Sequence, residues 1–383
     1  MKIVADENIP CVEQAFASLG EVTLLPGRGM QAADVRDADV LLVRSVTRVD
    51  ASLLDHSAVR FVGSATIGFD HVDRAYLRER GIGFSTAPGS NATSAAEYVI
   101  SVLMVLSAQQ GIELAGRTVG IIGCGNVGSR VQQRLTALGM HCLVNDPPLQ
   151  AQGGHDDFVP LEAVLQADVV TLHVPLETAG DNPTFHLVNA QRLQQLRPGA
   201  IFINTARGAV ADNRALDDVL GRRDDLTVVL DVWENEPAIS TSLLKKVALG
   251  TPHIAGYSID GKLRGTAMIY QAACEYLDVP AEWHAGDAIA AAPAIRLTPD
   301  PQENILAIVR EAVLAVYDVR ADDARLRETL ALPDAERSTA FDALRKNYPV
   351  RREFSESTIQ LPRPADAAGV LLEKLGFRVA AAD

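Results

Sequence analysis

Cysteine is scarce in this chain and follows no pattern. Cys11, Cys124, Cys142 and Cys274 include no Cys-x-x-Cys pair and no metal-ligand spacing with histidine. That excludes a disulfide scaffold and a zinc module, and leaves reduced, mostly buried thiols as the expectation, with no metal site. Positive charge is also short: 35 Lys and Arg stand against 49 Asp and Glu, a net charge of −14. A phosphate backbone attracts basic surfaces, so nucleic acid is excluded as a main partner, although a local basic pocket for a small anion is not. The most apolar stretch, residues 98–106, is far short of the ~20 residues a membrane span needs. The opening MKIVADENIP turns acidic at once, unlike a signal peptide, so a soluble cytoplasmic protein with no membrane partner is expected. With 28 Gly and 19 Pro in 383 residues, and 48% hydrophobic content, little disorder and two or three cored domains are expected.

What the chain has is alternation. Short apolar runs at residues 2–5, 22–25, 40–43 and 61–63 read as buried strands, with helices at 10–19, 51–56 and 71–80 between them. A second series begins with a long helix at 94–110, with Asn91 or Thr93 as N-cap and Glu97 in its first turn. Strands follow at 118–122, 141–145, 169–173, 200–204 and 227–230. Strands alternating with helices imply parallel sheets covered on both faces. The fold class expected is therefore α/β: two doubly wound, Rossmann-like parallel-sheet domains around a cleft where cofactor and substrate meet. A helix at 258–277 is placed to cross back to the first domain, a Pro- and Ala-rich linker spans 278–300, and a further unit follows it.

Gly123-Cys124-Gly125-Asn126-Val127-Gly128 follows the strand at 118–122 and opens a helical pattern. Its glycines, Gly123, Gly125 and Gly128, allow a tight turn, close backbone approach to a pyrophosphate and close helix–strand packing. The helix N-terminus then offers unpaired N–H groups to the phosphates. Asp146 ends the next strand, placed to accept from ribose hydroxyls; Pro147, Pro148 and Leu149 follow, with no Arg or Lys for a 2′-phosphate, which favours NAD over NADP.

Three residues past later strands carry candidate chemistry. Arg207, in Asn204-Thr205-Ala206-Arg207-Gly208, is placed to grip a carboxylate in bidentate fashion and polarise a reacting C–O bond. His253, between Pro252 and Gly256 in Thr251-Pro252-His253-Ile254-Ala255-Gly256, is suited to proton transfer near neutral pH. Glu236 and Glu234 share the loop after Asp231, and spacing alone does not choose which partners the histidine. His173, also past a strand, has no nearby acid and is expected to line the cofactor cleft. Ser45 and Thr66 follow strands of the first series and are placed to donate to phosphate oxygens, with Arg44 adding charge, or to cap their own turns. The cluster Arg345, Lys346, Arg351 and Arg352 is expected as a solvated face, with reach toward a substrate phosphate as the alternative.

Together, Gly123–Gly128 with Asp146, His173-Val174-Pro175-Leu176, Asn204–Gly208, the loop from Asp231 to Pro237 and Thr251–Gly256 resemble the D-isomer-specific 2-hydroxyacid dehydrogenase family. The resemblance implies that His253 is the acid–base residue, Glu236 its paired acid and Arg207 the substrate arginine. It implies NAD contacts at Asn126, Val127, Asp146, Val174, Ala206, Asp231 and Gly256, and substrate contacts at Ser45, Thr66 and Tyr257. The opening ten residues, Val43-Arg44-Ser45-Val46-Thr47, Ala65-Thr66-Ile67-Gly68 and the stretch 341–354 resemble a branch of the family that acts on a phosphorylated 2-hydroxy acid and carries an extra C-terminal α+β dimerisation domain. The implied organisation is a substrate domain of residues 1–92 with about 257–285, an NAD-binding domain of 93–256, and a homodimerising domain of 286–383. Rival readings are a dehydrogenase of the same family with another substrate, such as 3-phosphoglycerate, and a non-catalytic NAD-sensing protein on the same fold.

Overall fold

The computed structural model describes residues 1–153, 157–287, 289–300, 302–363 and 366–382. Residue 288 of the expected linker, and 301, 364, 365 and 383 of the expected third domain, lie outside the described residues.

Two compact units divide the chain. The first comprises Met1–Asn91 and Tyr257–Ala291. Its sheet has five parallel strands, β1 (Lys2–Asp6), β2 (Glu21–Leu25), β3 (Val40–Val43), β4 (Phe61–Ser64) and β5 (Gly83–Ser85), in the order β2-β1-β3-β4-β5. β3 and β4 are buried at every position, which is why they appear in the sequence as unbroken apolar runs. The helices between strands are shorter than periodicity suggests: Val12–Phe16, Ala51–Leu54 and Arg74–Glu79, the last two started by the side chains of Asp50 and Asp73. The helix Ile259–Leu277, capped by Ser258, lays Ile269, Tyr270 and Ala273 into one core with Ile3, Phe16 and Leu42. Strand order reverses between β1 and β3, which puts the loops leaving those strands beside a crevice at their carboxyl ends.

The second unit comprises Ala92–Gly256 and Ala292–Asp383. Its main sheet holds β6 (Thr118–Ile122), β7 (His141–Asn145), β8 (Val169–Leu172), β9 (Ile201–Asn204), β10 (Thr227–Leu230) and β11 (Leu249–Gly250), all parallel, in the order β11-β10-β9-β8-β6-β7. The order reverses between β6 and β8, so the glycine turn after β6 and the His173 loop after β8 flank the crevice. A third, small parallel sheet joins β12 (Ile295–Arg296), β13 (Thr358–Leu361) and β14 (Arg378–Ala381). Of residues 286–383, expected as a third domain, 286–291 fall in the first unit and 292–383 in this second one, where Leu326 and Phe341 join the core built around Phe202, Leu216 and Trp233.

The helix Ala92–Gln110 is long and apolar enough by length and composition to cross a membrane, but every residue from Ser94 to Ser107 is buried inside the second unit. It begins at Ala92, so Thr93 lies inside it, and Glu97 is a buried acid in the second turn instead of a first-turn partner of the helix dipole. Only Cys274 of the four thiols is buried; the others are half-buried, and burial pushes all four above their ordinary pKa.

Candidate active site

At Gly128, in the glycine turn, the backbone leaves no choice of residue. A Cβ on Gly128 would lie 1.9 Å from the Gly123 carbonyl oxygen, so the helix Asn126–Ala137 can start this close to β6 only with glycine there. A Cβ on Gly125, by contrast, would meet nothing within 4 Å. Gly125 caps the helix without a side chain, leaving the first-turn N–H groups facing an open approach. Asp146 braces the turn: its carboxylate accepts from the Cys124 N–H at 2.7 Å and caps the helix Pro147–Ala151 through Leu149 N–H at 3.0 Å. Each oxygen keeps a second lone pair for a ribose hydroxyl. Val174 sits across the turn, its Cγ1 2.7 Å from the place a Gly123 Cβ would occupy. Of the other expected contacts, Asn126 is exposed, while Val127 and Gly256 are half-buried. These features fit a dinucleotide.

The histidine and the carboxylate expected to pair do meet. His253 Nδ1 lies 2.7 Å from Glu236 Oε2, and Glu236 Oε1 accepts the Trp233 N–H at 2.8 Å. A carboxylate accepts only, so Nδ1 carries a proton, and in the neutral ring Nε2 keeps its lone pair. Among the described residues nothing hydrogen-bonds Nε2, and the side chain is 32% exposed. Burial alone would raise the Glu236 carboxyl. The charge and hydrogen bond of His253, the Trp233 N–H and the charge of Arg345 outweigh it and hold Glu236 below its ordinary pKa.

The loops that meet here are tied from within. Asp231 is buried and accepts from Thr251 Oγ1 (2.6 Å), Ile254 N–H (2.7 Å) and Ala255 N–H (3.0 Å), so both its oxygens serve the His253 loop. Trp233 Nε1 donates to the Thr251 carbonyl at 2.9 Å, binding the glutamate loop to the histidine loop. His253 adopts φ 58° and Asn235 φ 62°, left-handed conformations that non-glycine residues adopt rarely and that cluster at functional sites. Glu234 turns away from His253. It bonds His186 Nε2 at 2.7 Å and the Asn213 N–H at 2.8 Å, which resolves the choice between the two acids in favour of Glu236.

Arg207 is half-buried and donates Nη1 to its neighbour's carbonyl, Ala206 O, at 2.8 Å. Buried Asn204 shapes its turn, accepting from Ala206 N–H and donating to Arg207 O, both at 3.0 Å. Gly208 packs so closely on Trp233 that a Cβ would lie 1.9 Å from the Trp233 carbonyl carbon, which brings the arginine turn against the glutamate loop. His173 is no rival base: Thr171 (2.9 Å) and Thr205 (3.3 Å) hold its ring, and burial pushes its pKa down to about 3.

In the first unit Ser45 is exposed directly past β3. Thr66 Oγ1 sits 2.9 Å from Ser64 Oγ and 3.4 Å from the Gly68 carbonyl, a local turn role beside any substrate contact. Tyr257 gathers two cations: Arg44 Nη2 donates to its hydroxyl at 3.4 Å and Lys262 Nζ lies 4.4 Å over its ring. Nothing in the sequence marks Lys262, because its spacing of five from Tyr257, across the start of the helix Ile259–Leu277, gives no local signal.

The sheet order, the glycine turn and the histidine–carboxylate pair define a nicotinamide-dependent dehydrogenase of the α/β class. Residues 93–255 match the model of the D-isomer specific 2-hydroxyacid dehydrogenase NAD binding domain, and residues 290–376 match a domain of unknown function (DUF3410). The chain is 51% identical to erythronate-4-phosphate dehydrogenase of Cellvibrio japonicus, covering 99% of this chain and 100% of that one. It is 48% identical to the enzyme of that name from Chromohalobacter salexigens, covering 99% of each. Among solved structures, the TT0316 protein of Thermus thermophilus superposes with a TM-score of 0.62 at 26% identity, covering 73% of this chain and 98% of that one. The NAD+-bound 3-phosphoglycerate dehydrogenase of Entamoeba histolytica shares the fold, with a TM-score of 0.63 at 24% identity, over 73% of this chain and 95% of that one. The chain belongs to the erythronate-4-phosphate dehydrogenases, within the D-isomer-specific 2-hydroxyacid dehydrogenase family.

Proposed function

We propose that this chain oxidises 4-phospho-D-erythronate at C2 to (R)-3-hydroxy-2-oxo-4-phosphooxybutanoate with NAD, a step of pyridoxal 5′-phosphate (vitamin B6) biosynthesis. The observation that carries the reading is the 2.7 Å Glu236–His253 contact, which leaves Nε2 open as a base in a chain about half identical to enzymes of that name. Gly123, Gly125 and Gly128 with the first turn Asn126–Val127 hold the pyrophosphate, Asp146 the ribose, and Val174, Ala206, Asp231 and Gly256 line the remainder. Bound there, NAD supplies the hydride acceptor.

Arg207 binds the C1 carboxylate and orients the C2 hydroxyl, for which its guanidinium fork is suited. His253 Nε2 takes the hydroxyl proton as C2 gives up its hydride, so the O–H and C–H bonds break and the C2 carbonyl forms. Glu236 holds the imidazolium that results, an assistance typical of positioned general bases at about 10²–10⁴-fold. Ser45, Thr66 and Tyr257 bind the substrate, and Arg44 and Lys262, both on Tyr257, supply the positive charge a phosphate needs.

The same proposal includes a homodimer through residues 286–383, where Val350 stands 78% exposed, and a cytoplasmic location, in keeping with four free cysteines. NADH formation by wild type and His253→Ala, with a 2-oxoacid added to release any bound NADH, tests the catalytic assignment. The expected result is turnover by wild type only, with NAD binding kept in both; near-normal turnover by His253→Ala overturns it.

A further inference from the structure

His253 stands on a short loop between β11 and the helix Ile259–Leu277, in a backbone conformation its own sequence does not favour. Asp231 holds that loop from the sheet side. The opposite hold comes from residues 292–383. Arg351 is 4% exposed; its Nη1 donates to the Ala255 carbonyl at 3.0 Å and its Nη2 to the Ser94 carbonyl at 2.7 Å. The guanidinium lies 3.6 Å from the Tyr317 ring centroid, with Glu97 Oε2 at 3.9 Å. On the near side of the loop, Asp323 Oδ1 accepts the Gly250 N–H at 2.7 Å. Arg327 fixes that aspartate at 2.9 Å and also donates to the carbonyls of Leu244 and Val247, both at 2.8 Å. The strand before His253 and the carbonyl two residues after it are thus both gripped by side chains from the C-terminal hundred or so residues.

We propose that Arg351 is a positioning residue for the His253 base, with Asp323 as its counterpart on β11, so that residues 292–383 set the geometry of proton transfer. The proposal rests on His253 being the base. A planar guanidinium bridges two carbonyls and stacks on an aromatic ring at once; a lysine ammonium in its place reaches one carbonyl and loses the stack. The Arg351 anchor would then slacken while the Glu236–His253 hydrogen bond and the cofactor turn keep all their atoms.

The test is Arg351→Lys, with Asp323→Ala as the second variant should the first fail to fold, each checked by circular dichroism and thermal melting. The expected result is a kcat lowered about 10- to 100-fold, since a small misplacement of a reacting group costs that much. Substrate KM and NAD affinity stay within about threefold of wild type. Amide deuterium exchange at Ile254 and Ala255 quickens, with or without substrate. Made on top of His253→Ala, the same substitution brings no further loss of residual turnover, because the base it positions is gone. Two folded variants within about twofold of wild type in kcat, with unchanged exchange, overturn the proposal, as does a loss undiminished in the His253→Ala background. A wild type that oxidises no 2-hydroxy acid overturns the functional reading, and with it the positioning role that rests on it, even where Arg351→Lys still loosens the loop.

Discussion

Glu236→Gln is the sharpest perturbation of the pair, because the structure gives the glutamate two donors and glutamine has one oxygen. Oε1 accepts the Trp233 N–H at 2.8 Å and Oε2 accepts His253 Nδ1 at 2.7 Å. If the glutamine oxygen stays on Trp233, its NH₂ faces Nδ1 and forces the proton to Nε2, the tautomer that cannot act as a base. If the oxygen turns to His253, the NH₂ confronts a mostly buried N–H, and an unmet donor costs about 1–3 kcal/mol. In either arrangement the carboxylate charge beside the imidazolium is lost, about 1.5–3 kcal/mol, while the unmet donor is a cost to stability that ground and transition state share. Loss of that charge, with loss of the base tautomer where the NH₂ faces Nδ1, corresponds to a kcat about 10²–10⁴-fold lower. NAD affinity and substrate KM should stay within about threefold, since Arg207 and the glycine turn are untouched. Steady-state NADH absorbance with 4-phospho-D-erythronate gives kcat and KM, and quenching of tryptophan fluorescence gives NAD affinity. A kcat within about threefold of wild type would refute the assignment of Glu236 to the histidine.

Glu234→Gln is the control from the same loop: Glu234 serves His186 and Asn213, so kcat should stay within about threefold of wild type, measured in the same assay. Gly128→Ala places a methyl 1.9 Å from the Gly123 carbonyl oxygen, and NAD affinity should fall at least about tenfold by fluorescence titration as the turn opens. Burial raises the Glu97 carboxyl to about 8, against an ordinary 4.5, so its contribution to stability is fully present below pH 4.5 and is lost as pH rises through 8. Glu97→Gln removes that loss, at most about 1.4 kcal/mol per pH unit, so its melting temperature relative to wild type should climb from pH 5 to pH 8; a constant difference would contradict it.

The main sheets are legible because parallel strands buried on both faces leave unbroken apolar runs; β3, β6 and β10 begin and end where those runs do. β11 is two residues long and β12 likewise, too short for any pattern to mark. The glycine turn and Asp146 were legible because the chemistry of a dinucleotide demands those residue types at that spacing. The choice of Glu236 over Glu234 was not, because it depends on the left-handed turn at Asn235 and the Trp233 N–H that it presents. Arg351 departs furthest from the solvated face expected of it, being 4% exposed. A run of basic residues reads as a solvated face, yet this one is buried against carbonyls at Ser94 and Ala255 and the ring of Tyr317, partners too distant in sequence to leave a local trace.

The measurement that bears most directly on the central claim is NADH absorbance on mixing the purified chain and NAD with 4-phospho-D-erythronate, and in parallel with 3-phosphoglycerate and D-lactate. A 2-oxoacid goes into a matched set, so that bound NADH cannot stall turnover. The account predicts a signal confined to 4-phospho-D-erythronate. An equal signal with 3-phosphoglycerate would contradict the substrate assignment, and no signal with any hydroxy acid despite clear NAD binding would contradict the catalytic reading itself.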